Sequence, residues 1–176
     1  SYGKSFASVG GFTIGSKEVC DHQRLTSFAY TSSTSTPCFN VVAATKAIEI
    51  IEKEGEDLIK KLRQNILLMR NELIDQINPF TIISDELSPL IHLRKNDDEQ
   101  TDQNSYHNDD ILLQSIVEAC LKEENPVAIS KSKYIRSKEI NAPPPSLKIY
   151  ISASHTEEQI KKAAATIKIA IAKTIQ

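Results

Sequence analysis

Ser1-Tyr2-Gly3-Lys4-Ser5-Phe6-Ala7-Ser8-Val9-Gly10-Gly11-Phe12 opens the chain and carries its densest chemical signal. One lysine stands among small residues, and a glycine pair follows it. Phosphate-binding loops share this look, but they need Gly-Lys-Ser/Thr at a set distance after a first glycine. Here Gly10 is followed at that distance by Gly15, and then by Ser16-Lys17 in the wrong order. No buried-type strand precedes the loop either, so the nucleotide cradle is rejected. The other chemistry open to Lys4 is a Schiff base. Such a lysine rides on a rigid loop of small residues and has an amine basic enough to attack yet often neutral. The residues around Lys4 suit that role, although the local pattern alone fits an exposed loop lysine better.

Downstream, residues 1–40 hold four of the five glycines, at 3, 10, 11 and 15, and read as loop, a short strand over Phe12–Ile14, a turn and another loop. Residues 41–77 are helical. Ala44, Ile48 and Ile51 mark one apolar face, and the stripe resumes at Ile59, Leu62, Ile66, Met69, Leu73 and Ile77. Gly55, among charged residues, is expected to divide two helices or kink one, and Asn78-Pro79 stops the second. Strands are expected at Phe80–Ser84 and Leu90–Arg94, with a turn at Leu87-Ser88-Pro89. Asn96–Asp110 lacks aliphatic residues and reads as an exposed, poorly ordered loop.

Asp109–Lys122 follows as a helix with Leu113, Ile116, Val117 and Cys120 inward, then a strand near Val127–Ser130. In Leu147–Ala153 alternation is clean: Leu147, Ile149, Ile151 and Ala153 share one face, and Lys148, Tyr150 and Ser152 the other. Thr156 and Gln159 have capping-box spacing for a last helix striped by Ile160, Ala163, Ala164, Ile167 and Ile171. Strand, strand, helix, strand, strand, helix describes an α+β lobe with helices layered on a mostly antiparallel sheet.

The 21 basic and 23 acidic side chains leave a net charge of −2, which gives no electrostatic footprint for nucleic acid. No run approaches the ~18 apolar residues of a membrane-spanning helix. Cys20, Cys38 and Cys120 are too few and too scattered for a zinc motif or a disulfide framework. His22, His92, His107 and His155 have no ligand spacing, so no metal is expected.

The opening stretch resembles the lysine motif of the α-oxoamine synthases, pyridoxal-phosphate (PLP) enzymes of aminotransferase fold type I. In that family Ser or Thr stands three before the lysine, an aromatic residue or Leu two after it, and Gly-Gly six and seven after it. Ser1, Phe6 and Gly10-Gly11 match those places around Lys4. Asp21-His22-Gln23-Arg24-Leu25, Leu87-Ser88-Pro89 with Ile91-His92-Leu93, and Pro143-Pro144-Pro145-Ser146-Leu147-Lys148 are similar to segments of the serine palmitoyltransferase branch, in its first long-chain-base subunit.

The resemblance implies an α/β fold class, the C-terminal part of a PLP-dependent transferase. Residues 1–40 would end the large PLP-binding domain, 41–77 would be linking helices, and 78–176 the small α+β domain. It implies Lys4 as the possible Schiff-base residue, silent if the chain is a first subunit, since first subunits normally lack the lysine. It implies Ser1 on the cofactor side, and Ser33 and Thr34 as hydroxyl donors to the phosphate of PLP in the neighbouring subunit's site. Lys148 falls where catalytic members carry Arg for the substrate carboxylate, and a lysine offers a point charge in place of a fork.

The implied function is condensation of L-serine with a long-chain acyl-CoA in long-chain-base synthesis, with a second long-chain-base subunit as heterodimer partner, at the cytosolic face of the endoplasmic reticulum membrane. The alternatives are a self-sufficient synthase using Lys4 and a non-catalytic scaffold subunit. The family's Asp under the pyridine nitrogen and its ring-stacking His lie upstream of the lysine. The chain is therefore expected to be a C-terminal fragment, inactive alone.

Overall fold

The computed structural model describes residues 1–74, 76–96, 103–135, 138–139 and 142–175, with only the backbone of 103–105. It resolves into two compact units, Ser1–Asp57 and Leu58–Gln176.

In the first unit the Lys4 stretch is a closed loop. The Tyr2 amide donates to Gly10 O at 2.9 Å, and the Ser8 amide donates to Tyr2 O at 3.0 Å. Tyr2 is buried, and its ring packs edge-on to Phe6 and tilted against Phe12. Phe12–Ile14 is irregular, contrary to the strand expected there. A strand needs a neighbour to take its ladder bonds, and among the described residues this unit has no other strand. The stretch read as loop instead contains helix α1 (Lys17–Thr26) and the short helix α2 (Phe28–Thr31). Serine side chains cap both: Ser16 accepts from the Val19 amide, and Ser27 from the Tyr30 amide. A Lys17–Asp21 ion pair and Glu18 in the first turn add to α1.

Helix α3 (Cys38–Leu73) runs unbroken through Gly55, so that glycine does not divide two helices. Inside a helix a glycine costs only about 1 kcal/mol relative to alanine. Ending the helix would expose a set of unpaired backbone groups. Charged helix formers flank Gly55, and no proline lies near it to impose a stop.

The second unit is a four-stranded antiparallel sheet of order β1-β2-β4-β3, built from β1 (Phe80–Ile82), β2 (Leu90–Lys95), β3 (Ser130–Lys131) and β4 (Leu147–Tyr150). Helices α4 (Gln103–Lys122) and α5 (Glu157–Ile175) and the end of α3 supply its apolar cover. Ile91 and Leu93 from β2, and Leu147 and Ile149 from β4, join Ile66, Met69 and Leu73 of α3, Leu113, Ile116 and Cys120 of α4, and Ile160, Ile167 and Ile171 of α5 in one core. The alternation read in Leu147–Ile151 thus buries its apolar face. The strand itself is shorter than expected, ending at Tyr150. The capping box forms, with the Thr156 amide on Gln159 Oε1 at 2.9 Å and the Gln159 amide on Thr156 Oγ1 at 3.2 Å.

Asn96–Asp110 departs from expectation where it is described: α4 begins at Gln103, and Asp109 is buried. Residues 97–102 lie outside the described residues. Order comes here from charge. Lys95 Nζ meets Asp109 Oδ1 at 2.9 Å, and Lys131 Nζ meets Asp110 Oδ1 at 3.1 Å. A pattern read for aliphatic anchors does not register such pairs.

Buried Asn65 of α3 donates from Nδ2 to Ser152 O at 2.9 Å and to His155 O at 3.0 Å, tying the helix to the turn after β4. Asn65→Ala leaves two carbonyls without their donor and should destabilise the chain by about 1–3 kcal/mol. A denaturant titration with an unchanged midpoint would show that water replaces the amide at no cost.

Candidate active site

Two regions carry side chains with chemistry to offer, one in each unit. The first is the loop that presents Lys4. It closes through the backbone of Tyr2, Ser8 and Gly10, and the turn at its tip is held by the Ala7 amide on Lys4 O at 3.1 Å. Ala7 takes a left-handed φ of 47° in that turn. Gly10 has φ 108°, and a Cβ there would come within 2.9 Å of Thr36 Oγ1. Only glycine satisfies both conditions, so the end of the lysine loop and the end of the Ser/Thr-rich loop approach one another at this point. Ser8 Oγ adds a bond to Asn40 O at 3.2 Å.

Lys4 itself is exposed, and among the described residues its amine has no hydrogen bond or ion pair. Ser1, also exposed, accepts the Gly3 amide on its Oγ. Ser33 and Thr34 lie in the exposed segment after α2, where the Ser33 hydroxyl donates to Ala29 O and keeps its lone pairs free to accept. The first unit therefore holds Lys4, Ser1, Ser33 and Thr34. Thr36 and Asn40, which brace the lysine loop, were missed in the sequence reading, because nothing in a linear pattern marks a residue as the wall facing a glycine.

The second region is the face of the sheet turned away from the helices, which carries Lys148, half-buried. Lys148 stands opposite His92 on β2 and opposite Ser130 on β3. His92 Nδ1 lies 2.9 Å from Ser146 Oγ. The Ser146 amide in turn donates to the buried Ser132 Oγ at 2.9 Å. Arg94 occupies the same face two residues along β2. Burial, with the nearby Lys148 and Arg94 charges, holds the His92 imidazole below its ordinary pKa. The sequence marks Arg94 only as the end of a strand, and His92 as a histidine without ligand spacing inside a family-like segment. On the opposite face, burial pushes the Cys120 thiol up to about 11, so it stays protonated and inert at neutral pH.

Among the described residues no three His, Cys, Asp or Glu side chains are grouped to hold a metal ion. Among the same residues no helix is long and apolar enough to cross a membrane.

A glycine-braced loop that presents a free lysine, together with an antiparallel sheet covered by helices on one face, defines the C-terminal part of a fold-type-I transferase. The family profile for aminotransferase class I and II matches residues 1–167, and the chain belongs to that family. Within it, the chain is 36% identical over 175 residues to serine palmitoyltransferase 1 of Dictyostelium discoideum, covering 96% of this chain and 35% of that protein. It is 31% identical over 166 residues to long chain base biosynthesis protein 1 of Arabidopsis thaliana, covering 94% of this chain and 33% of that protein. The chain thus spans about a third of the length of these relatives.

Among solved structures, one described as SPT with PLP internal aldimine superposes with a TM-score of 0.73 at 19% identity, over 98% of this chain and 39% of that one. 8-Amino-7-oxononanoate synthase of Francisella tularensis gives 0.70 at 18% identity, over 99% of this chain and 45% of that one. At these identities the superpositions establish the fold.

Proposed function

We propose that the chain is the C-terminal part of a serine palmitoyltransferase subunit of the first long-chain-base type, and that the whole protein takes part in condensing L-serine with palmitoyl-CoA to 3-ketosphinganine. The observation that carries this reading is the likeness to serine palmitoyltransferase 1 along almost the entire chain. The residues present suit PLP. Lys4 offers an amine free of internal partners on a braced loop, and Ser33 and Thr34 offer hydroxyls in an exposed segment. PLP, when bound, supplies the electron sink that stabilises a carbanion at the α-carbon of the amino acid.

Lys4 is the residue placed to hold that group covalently in a catalytic chain. Thr34 would donate a hydrogen bond to a phosphate in the partner subunit's site, Ser33 would do so once its hydroxyl turns away from Ala29 O, and Ser1 would stand beside the cofactor. Lys148 would bind the substrate carboxylate as a point charge. In this reading residues 1–40 end the large domain, 41–77 link, and 78–176 form the small domain. The whole protein works as a heterodimer with a second long-chain-base subunit at the cytosolic face of the endoplasmic reticulum membrane. The fragment alone, without the upstream part of the site, neither holds PLP tightly nor turns over.

Co-expression of the full-length protein with and without a second long-chain-base subunit tests the proposal. Condensation of L-serine with palmitoyl-CoA is expected only when both are present. Activity of the full-length chain alone would favour a self-sufficient synthase using Lys4. No activity in any combination would favour a scaffold subunit.

A further inference from the structure

Residues 32–37 link α2 to α3 and carry Ser33 and Thr34. Residues 32–35 are exposed, whereas Thr36 and Asn40 are half-buried. The lysine loop is what covers those two. Gly10, at φ 108°, sets its bare Cα against Thr36, where an added Cβ would lie 2.9 Å from Oγ1 and 3.3 Å from Cγ2. Two residues earlier, the half-buried Ser8 hydroxyl donates to Asn40 O at 3.2 Å. The loop thus holds the chain on either side of Pro37, whose carbonyl accepts the Asn40 and Val41 amides that open α3. The other end of the link is held by α2. There the Ser32 amide donates to Phe28 O at 2.9 Å, and the Ser33 hydroxyl to Ala29 O.

Little slack remains between those ends. Thr34 precedes Thr36 by two residues, at most about 7 Å of chain. A displacement of Thr36 therefore passes on to Thr34, and a hydrogen bond weakens steeply once its geometry is lost. The wall that faces Thr36 is backbone. It is fixed by the Tyr2 amide on Gly10 O, the Ser8 amide on Tyr2 O and the Ala7 amide on Lys4 O. Neither the Gly10–Thr36 contact nor the Ser8–Asn40 bond involves the Lys4 side chain.

We propose that the lysine loop of this chain positions Ser33 and Thr34 for the cofactor phosphate in the partner subunit's site, with Gly10 and Ser8 as positioning residues that act through Thr36 and Asn40. The proposal rests on the reading of Ser33 and Thr34 given under Proposed function. It gives the bracing of the loop a use that does not depend on reaction at Lys4. In a chain whose amine is silent, the same loop still sets the geometry of a site in the other subunit.

The test uses the full-length protein with the second long-chain-base subunit proposed for it. The complex is freed of PLP and titrated with it. Bound PLP is fixed with borohydride at each concentration and counted on the partner's peptides alone, so that label on Lys4 does not enter. Gly10→Ala is expected to weaken the partner's hold on PLP by roughly tenfold, about the worth of one hydrogen bond to a charged group. Thr36→Ala opens a gap where Gly10→Ala makes a clash. It should shift the affinity in the same direction, and it takes the place of Gly10→Ala if that variant does not assemble. Thr36→Val keeps the shape of the wall and should stay close to the unsubstituted protein. A cycle with Ser33→Ala and Thr34→Ala separates positioning from general damage. If the loop acts through those hydroxyls, its substitution adds no loss once they are gone, whereas independent effects add. Additive losses, or unchanged affinity in either loop variant, overturn the proposal and leave the reading of Ser33 and Thr34 standing. Equal losses in Thr36→Val and Thr36→Ala overturn it too, because the Thr36 hydroxyl would then be the phosphate donor. If Ser33→Ala with Thr34→Ala itself leaves the affinity unchanged, that reading fails and the proposal falls with it.

Discussion

Leu93→Ala is expected to destabilise the chain by about 2–5 kcal/mol, the range for removing a fully buried leucine. Leu93 has no exposed surface. It pairs with Leu147 on one side and Ile82 on the other, at the middle of the sheet, and belongs to the core shared by α3, α4 and α5. Truncation removes three heavy atoms where two strand neighbours and a helix layer fix the surroundings, so the cavity cannot collapse easily. Ile83→Ala serves as the control. Ile83 is 42% exposed, so its truncation should cost far less. Urea titrations of the two variants measure the difference. Equal midpoints would mean that the sheet is not the cooperative core of this chain.

Lys4 carries the second large effect, and it is all or none. In the full-length protein paired with the second long-chain-base subunit proposed for it, borohydride reduction in the presence of PLP followed by peptide mapping should label only the partner if this chain is a silent first subunit. Lys4→Ala should then leave activity nearly intact. Ser33→Ala with Thr34→Ala should weaken the partner's hold on PLP by roughly tenfold or more, since hydrogen bonds to a charged phosphate are the stronger kind. Label on a peptide containing Lys4, abolished by Lys4→Ala, would instead make this chain catalytic. Folding should be indifferent to Lys4→Ala in either case. The loop is closed by backbone bonds between Tyr2, Ser8 and Gly10 and by the Tyr2 ring, and the lysine side chain is exposed.

The silent reading is the expected one, because several segments resemble the first subunit while a single lysine points the other way. The lysine nonetheless comes with its supports: a positive-φ glycine against Thr36 and a left-handed Ala7. These brace the loop whatever the fate of the amine, so the bracing does not by itself make Lys4 reactive.

Periodicity was enough wherever burial is one-sided and local. The stripe from Leu62 to Leu73, the alternation of Leu147–Ile151 and the Thr156–Gln159 box each depend on residues a few positions apart, and each formed as read. Local pattern failed where a structure depends on partners distant in sequence or on charge. Phe12–Ile14 has strand-like residues but no neighbouring strand to pair with. The start of α4 has no aliphatic anchor, yet Lys95 and Lys131 reach it from two strands. Helix α1 lay hidden in a stretch dominated by Ser, Thr and Gly, although Ser16 ahead of Lys17–Asp21 offered a cap and an ion-pair spacing.

The candidate residues divide along the same line. Lys4, Ser1, Ser33, Thr34 and Lys148 became candidates through the resemblance to the family, since local pattern alone reads Lys4 as an exposed loop lysine. That Thr36 walls in Gly10, that His92 leans on Ser146, and that Arg94 joins Lys148 on one face were decided only by tertiary structure. Each of those contacts spans 26 or more residues of chain, as His92–Ser146 does at 54, and sheet register alone sets which side chains meet. A shift of one residue would turn Arg94 into the core and remove the cation from the face it now shares with Lys148.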